Sequence, residues 1–228
     1  MSEQNNPDIK ELSVVLIGKF NPSIVHPQWL VRKDLIRSGE AESAKIKVNH
    51  PEISDFDLSS CTIQVTNDRF MVSSTQETYF KSMIELIKNI LGLLPECPVL
   101  QAGINLHHHY KFDNKENYID FGHKIVPKDD LWSAVVKNPG LTKITVQSER
   151  GDNYDGKVVT MVGISRKIQK QGVEIQVNDH FDLYKKGEED LVDASRVIEL
   201  LSDKAVLSIE NPEKIINHIY DYGTSTKS

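Results

Sequence analysis

The 228-residue chain has only two cysteines, Cys61 and Cys97, and neither stands in a CxxC pair. A disulfide framework and a cysteine-based zinc signature are therefore excluded. Long hydrophobic runs are missing too. The richest stretches, near Leu12 to Ile17 and Ile84 to Leu94, are short or broken by Glu85, Lys88 and Asn89, so neither predicts a membrane span. The opening MSEQNNPDIKE lacks the basic and apolar segments of a secretory leader, which makes the cytoplasm the expected location. Positive charge is not in excess: 27 Lys and Arg against 33 Asp and Glu leave a net charge of −6, which argues against a polybasic nucleic-acid arm. Phosphate loops of the GxxxxGK[ST] and GxGxxG types do not occur, and neither do HExxH, GxSxG or kinase signatures, so the common nucleotide enzymes are disfavoured.

What is present is the composition of a folded body, with 39% hydrophobic and 26% charged residues. The expectation is one α+β domain over 1–228, read either as a single unit or as two intimately packed halves, 1–97 and 98–223, with 224–228 as a flexible tail. Leu12 to Phe20 reads as a buried strand closed by Asn21-Pro22, and Pro27 opens a short helix ending near Ser38-Gly39. Residues 44–49 form a weak strand, and the polar stretch from His50 to Ser60 reads as loop. Cys61 to Thr66 and Arg69 to Ser73 make a hairpin around Asn67-Asp68.

The pattern from Ser74 to Glu77 matches a capping box ahead of an apolar stripe of Phe80, Met83, Ile84, Ile87, Ile90 and Leu91, repeating at three and four residues. Val99 to Phe112 alternates as a strand. Tyr118 to Ile125 and Lys128 to Val136 read as helices, the second with Leu131, Trp132, Val135 and Val136 on one side. Strands are expected near 141–149, 157–165 and 173–183. A second long amphipathic helix runs from Asp190 to Leu201, and Asn211-Pro212 opens a last one. Short hairpins favour an antiparallel or mixed sheet with two long amphipathic helices packed on it. The order strand, helix, strands, long helix comes twice, which fits either a pseudo-duplication or an accidental recurrence.

Three adjacent histidines mark the strand Val99 to Phe112. Alternation sends His108 to the apolar face and puts His107 and His109 together on the polar one, about 7 Å apart at Cβ. The H-x-H pair binds a divalent metal if a neighbouring strand supplies a third ligand; otherwise it is a solvated polar face. His108, among apolar neighbours, needs a hydrogen-bond partner, and Asp179 is a candidate because it alternates with Val173, Ile175, Val177 and Phe181. The alternative is a bulge at Asn178-Asp179 that turns the aspartate outward. Asp55 and Asp57 with His50 and Glu52, and Asp152 with Asp155, are acidic loops that read as cation sites or as solvated turns. Asp152 or Asp155 ahead of Glu174-Ile-Gln176 resembles the carboxylate pattern of two-metal nucleases, with glutamine in place of the lysine. Arg166, Lys167, Lys170 and Lys157 form a basic turn, either a contact for phosphate or an acidic partner, or a solvated hairpin tip.

The segments Asn138 to Gln147, Val177 to Phe181 and Val99 to Leu106 resemble those of sporadically distributed bacterial proteins of similar length without assigned activity. That resemblance implies a bacterial accessory protein, from a mobile or defence-linked locus, and carries over no site residue. The leading expectation is a non-enzymatic protein that binds a protein partner or forms a homo-oligomer, without nucleic acid, membrane or cofactor. It presupposes that the scattered imidazoles and acids do not meet. The alternative is a metal- or small-ligand-binding, hydrolase-like protein built on His107 and His109.

Overall fold

A computed structural model describes residues 6–128, 131–183 and 193–225. Among these residues nine strands form one sheet in which every pairing is antiparallel: β1 (Ile9–Gly18), β2 (Lys45–His50), β3 (Ile53–Asp57), β4 (Thr62–Thr66), β5 (Arg69–Ser74), β6 (Val99–Lys111), β7 (Lys143–Glu149), β8 (Gly156–Ile164) and β9 (Gly172–Asp182). Their order is β2-β3-β4-β5-β1-β6-β9-β8-β7, so β1 and β6 lie side by side in the middle. The helices are α1 (Pro27–Arg32), α2 (Ser38–Glu42), α3 (Phe80–Gly92), α4 (Lys115–Ile125), α5 (Ala194–Lys204) and α6 (Leu207–Thr224). The expected mixture of helix and antiparallel sheet is what the chain adopts. No helix among the described residues is long and apolar enough to cross a membrane.

Alternation divides the sheet into two unlike faces. Leu12, Val14 and Leu16 of β1, Ala102, Ile104 and Leu106 of β6, and Ile175, Val177 and Phe181 of β9 are all buried on the face that receives the helices. There α3 packs on β5, and α6 lies on β6 and β9, with Tyr220 stacked on Tyr110 at 3.8 Å between ring centres. The apolar stripe of α3 is buried as its periodicity predicts. The opposite face carries the other register, including His107, His109, Glu174 and Gln176.

Several boundaries differ from the sequence expectation, each for a local reason. The stretch His50 to Ser60 is not all loop: it contains β3, whose Ser54 and Phe56 face inward while Asp55 and Asp57 are matched by Lys47 on β2 and by Gln64 and Thr62 on β4. Ser74 belongs to β5 and does not cap α3. Its hydroxyl donates to Ser60 O at 2.7 Å, and Glu77 accepts from Lys10 at 2.6 Å. The helix therefore starts at Phe80, after a single 3-10 turn over Glu77–Tyr79. Helix α6 starts at Leu207 and carries Pro212 inside it, because Ser208 is held by its hydroxyl to Asp179 at 2.5 Å, a turn ahead of the expected cap. Residues 131–136 form turns, not a helix, and leave Leu131, Trp132, Val135 and Val136 exposed. Of the expected tail 224–228, Thr224 ends α6 and Ser225 caps it, while residues 226–228, like 129–130 and the expected helix start at 190–192, lie outside the described residues.

Gly156 opens β8 with φ at +133°, and an added Cβ would stand 2.1 Å from His180 O of the paired strand. Gly151, in the same loop region, has open space around it. Gly156→Ala is expected to cost about 1–3 kcal/mol in urea unfolding and Gly151→Ala close to nothing. Equal effects would refute this account of the β7–β8 connection.

Candidate metal centre

The register between β6 and β9 determines what the histidines meet. It places Glu174 directly opposite His109, Gln176 opposite His107, and Ile175 opposite His108. On the helix-free face, Glu174 also reaches diagonally to His107, with Oε1 2.8 Å from Nδ1. His107, His109 and Glu174 each bring a ligand atom to within 4.8 Å of the other two. The imidazole rings are nearly parallel, 10° apart, with centres separated by 6.4 Å. A carboxylate from the neighbouring strand thus joins the H-x-H pair, as a third ligand would have to. At this point of the sheet, imidazoles and an acid do meet.

The surroundings favour ligand chemistry over solvation. His109 is 2% exposed and Glu174 9%, while His107 is half-buried. His109 Nδ1 lies 2.9 Å from Ser165 Oγ, and its Nε2 is buried without a hydrogen-bond partner among the described residues. Burial holds the His109 pKa below its usual value, which keeps the ring neutral, the form that binds a metal. Burial opposes ionisation of Glu174, but the hydrogen bond from His107 keeps its carboxyl below the ordinary range. Two neutral imidazoles and a carboxylate on one side of an ion are a known arrangement for zinc and for non-haem iron, and it leaves coordination positions open.

The β8–β9 turn roofs this cluster. Ser165 Oγ accepts from the backbone amides of Lys167 and Ile168 at 3.2 and 2.9 Å, which curls the turn back toward His109. Lys167 then forms an ion pair with Glu11, which sits on β1 directly opposite His107. That contact carries the turn over β9 and β6.

The second expected pair does not form. His108 and Asp179 are both buried on the helix face, but Asp179 lies opposite Ile104, four positions along the strand from His108. His108 Nδ1 is 3.1 Å from Tyr110 Oη. Asp179 is neither bulged outward nor shared with a histidine: it is ion-paired with Arg150 and accepts from Ser208. Arg150 also pairs with Asp152 at 2.8 Å and stacks on the Phe181 ring at 3.8 Å. Asp152 is thereby committed to Arg150 and to Lys204 of α5, so of the two aspartates in the nuclease-like pattern this one does not join Glu174. Both cysteines are free, and burial pushes the Cys61 thiol up to about 11.

Sequence reasoning did not place Glu174 with the histidines, nor Ser165, Glu11 and Arg150 in their roles. The signal lay in the register, which the alternation of β6 and β9 constrains only once their adjacency is known. A search of protein-family models and of curated proteins finds no match to the chain.

His108 supplies a test of the helix face. Burial, and to a smaller degree the Lys10 charge, lower its pKa from 6.5 to about 4. Below pH 6.5 the unfolded ring takes up a proton that the folded one refuses, so the stability His108 contributes is full above that pH and falls as the pH drops toward 4. The slope is about 1.4 kcal/mol per pH unit. Urea unfolding of His108→Gln across this window is expected to show a correspondingly flatter decline than the parent, and identical slopes would contradict the burial of a neutral ring.

Proposed function

We propose that the protein binds a divalent transition-metal ion through His107, His109 and Glu174, and that the ion's open positions accept a small ligand, as in metal-assisted hydrolysis. The observation that carries the reading is the convergence of three donor atoms within 4.8 Å on a nearly buried patch where His109 Nε2 has no other partner. Neighbouring groups supply the positioning such a centre needs. Ser165 fixes the ring plane of His109, and the strand pairing fixes the separation of His109 and Glu174. Zinc suits a nitrogen and oxygen set without geometric demands, and iron suits the same set at higher coordination.

Untagged protein, exposed to zinc and passed through gel filtration, is expected to retain close to one equivalent by elemental analysis. His107→Ala, His109→Ala and Glu174→Gln are expected to lower affinity by at least tenfold, since each removes a ligand. Retention below about a tenth of an equivalent, or content unchanged in a His107→Ala, His109→Ala double variant, would overturn the reading.

A second reading, a binding protein acting through its surface as an accessory subunit, draws on a different observation. Leu131, Trp132, Val135 and Val136 are exposed by 68, 46, 71 and 48%, an apolar cluster of the kind that marks contact sites. The edge strand β2 also presents Ile46 and Val48 to solvent. Light scattering at low concentration is expected to show self-association that Trp132→Ser weakens. A strict monomer would count against self-association through this cluster. Under either reading, residues 1–97 and 98–223 are taken as two runs of one element order. Each leads with a central strand, β1 or β6, and then winds inward from an edge.

A further inference from the structure

The roof over the metal cluster is positively charged, and it is anchored to a ligand. Ser165 contacts His109, and the next two residues are Arg166 and Lys167. Lys167 reaches Glu11, which lies opposite His107 on β1, so the turn that carries both cations passes over the strands of the donor set. Lys167 is held at its place by Glu11, whereas Arg166 is exposed and has no ion-pair partner among the described residues. The backbone of the turn is committed to this shape: Lys170 and Gln171 both have φ of 57°, and a Cβ on Gly172 would stand 2.6 Å from Ile168 O.

Charge balance at such a centre decides what enters it. A divalent ion with Arg166 and Lys167 outweighs Glu11 and Glu174 by two positive charges when both imidazoles are neutral. A neutral ligand would leave that excess uncompensated. A monoanion cancels half, and a dianion with several oxygens cancels it while bridging the metal and the guanidinium.

We infer that the ligand of this centre carries a phosphate dianion, one oxygen of which occupies an open metal position while the others are held by Arg166 and Lys167. The inference rests on the metal reading above. Arg166 supplies the planar fork that matches a phosphate edge, and Lys167 supplies a point charge whose tie to Glu11 loosens as the anion arrives. The basic turn at the β8–β9 connection is on this account a binding element for a phosphate group, where the sequence left it between a phosphate contact and a solvated tip.

Cobalt(II) separates the two claims, because its visible spectrum reports both loading and a change of ligand. Cobalt is first titrated into the untagged full chain, and inorganic phosphate is then added, with acetate as the monoanion control. The expected result is one equivalent of cobalt, a spectral change on adding phosphate, and a much weaker response to acetate. Arg166→Gln and Lys167→Gln are each expected to load cobalt as the parent does and to weaken phosphate binding by about tenfold, the loss of one charge-assisted hydrogen bond. Failure to load cobalt removes the metal reading itself. Normal loading with no phosphate response, with equal response to acetate, or with unchanged phosphate affinity in both variants overturns the phosphate inference and leaves the metal centre standing.

Discussion

The pairing of β6 with β9 is the constraint on which the rest of the molecule depends. It runs without a bulge from Gln101 opposite Asp182 to Lys111 opposite Gly172, in the interior of the sheet. A slip by one residue would carry Ile175, Val177 and Phe181 away from the helices and bury Glu174, Gln176 and Asn178 in their place. The hydrophobic alternation of both strands forbids that, so the position of Glu174 against His109 follows from the core as much as from the site. The same argument separates His108 from its two neighbours. Three successive histidines are one residue type in three environments, because the side-chain period of a strand is two.

Charged groups and imidazole nitrogens are treated differently. On the helix face, charge is buried in closed arrangements. Arg150 is shared by Asp152 and Asp179, and Lys10 is shared by Glu77 and Glu213, linking the turn before α3 to α6. The Arg150–Asp179 pair loses much if one partner goes, since the remaining charge is nearly buried, whereas Glu77 and Glu213 keep access to water. These arrangements tie the layers together. Imidazole nitrogens are left unmatched on both faces: His108 Nε2 on the helix face, and His109 Nε2 with Asn178 Oδ1 on the other, have no partners among the described residues. An unsatisfied polar atom in a folded core is costly, so a ligand that satisfies one gains binding energy from the protein's own deficit.

Much of the architecture was legible in the sequence. The alternation of Val99 to Phe112 gave the central strand, and the hairpin around Asn67-Asp68 and the stripe of α3 were readable from turn chemistry and period. β3 was not legible, because a strand whose outer face carries Asp55 and Asp57 looks like a loop until Lys47 is known to stand beside it. The start of α6 was hidden for a related reason: Pro212 signals an N-terminus locally, and only the contact of Ser208 with Asp179 explains why the helix begins earlier. For the candidate centre, His107 and His109 were visible as a pair, and the carboxylate that joins them was not. Glu174 is far away in the chain, and no spacing rule links it to an H-x-H motif. Only long-range register brings the two together.

The central claim is that His107, His109 and Glu174 act as one set of ligands. X-ray absorption at the zinc edge of the loaded, untagged protein tests it most directly, because multiple scattering from imidazole rings is distinctive. The account predicts two imidazole nitrogens and one or more oxygens at about 2.0–2.1 Å, with no sulfur. A shell of oxygens alone, a single imidazole, or a sulfur contribution would place the ion elsewhere and contradict it.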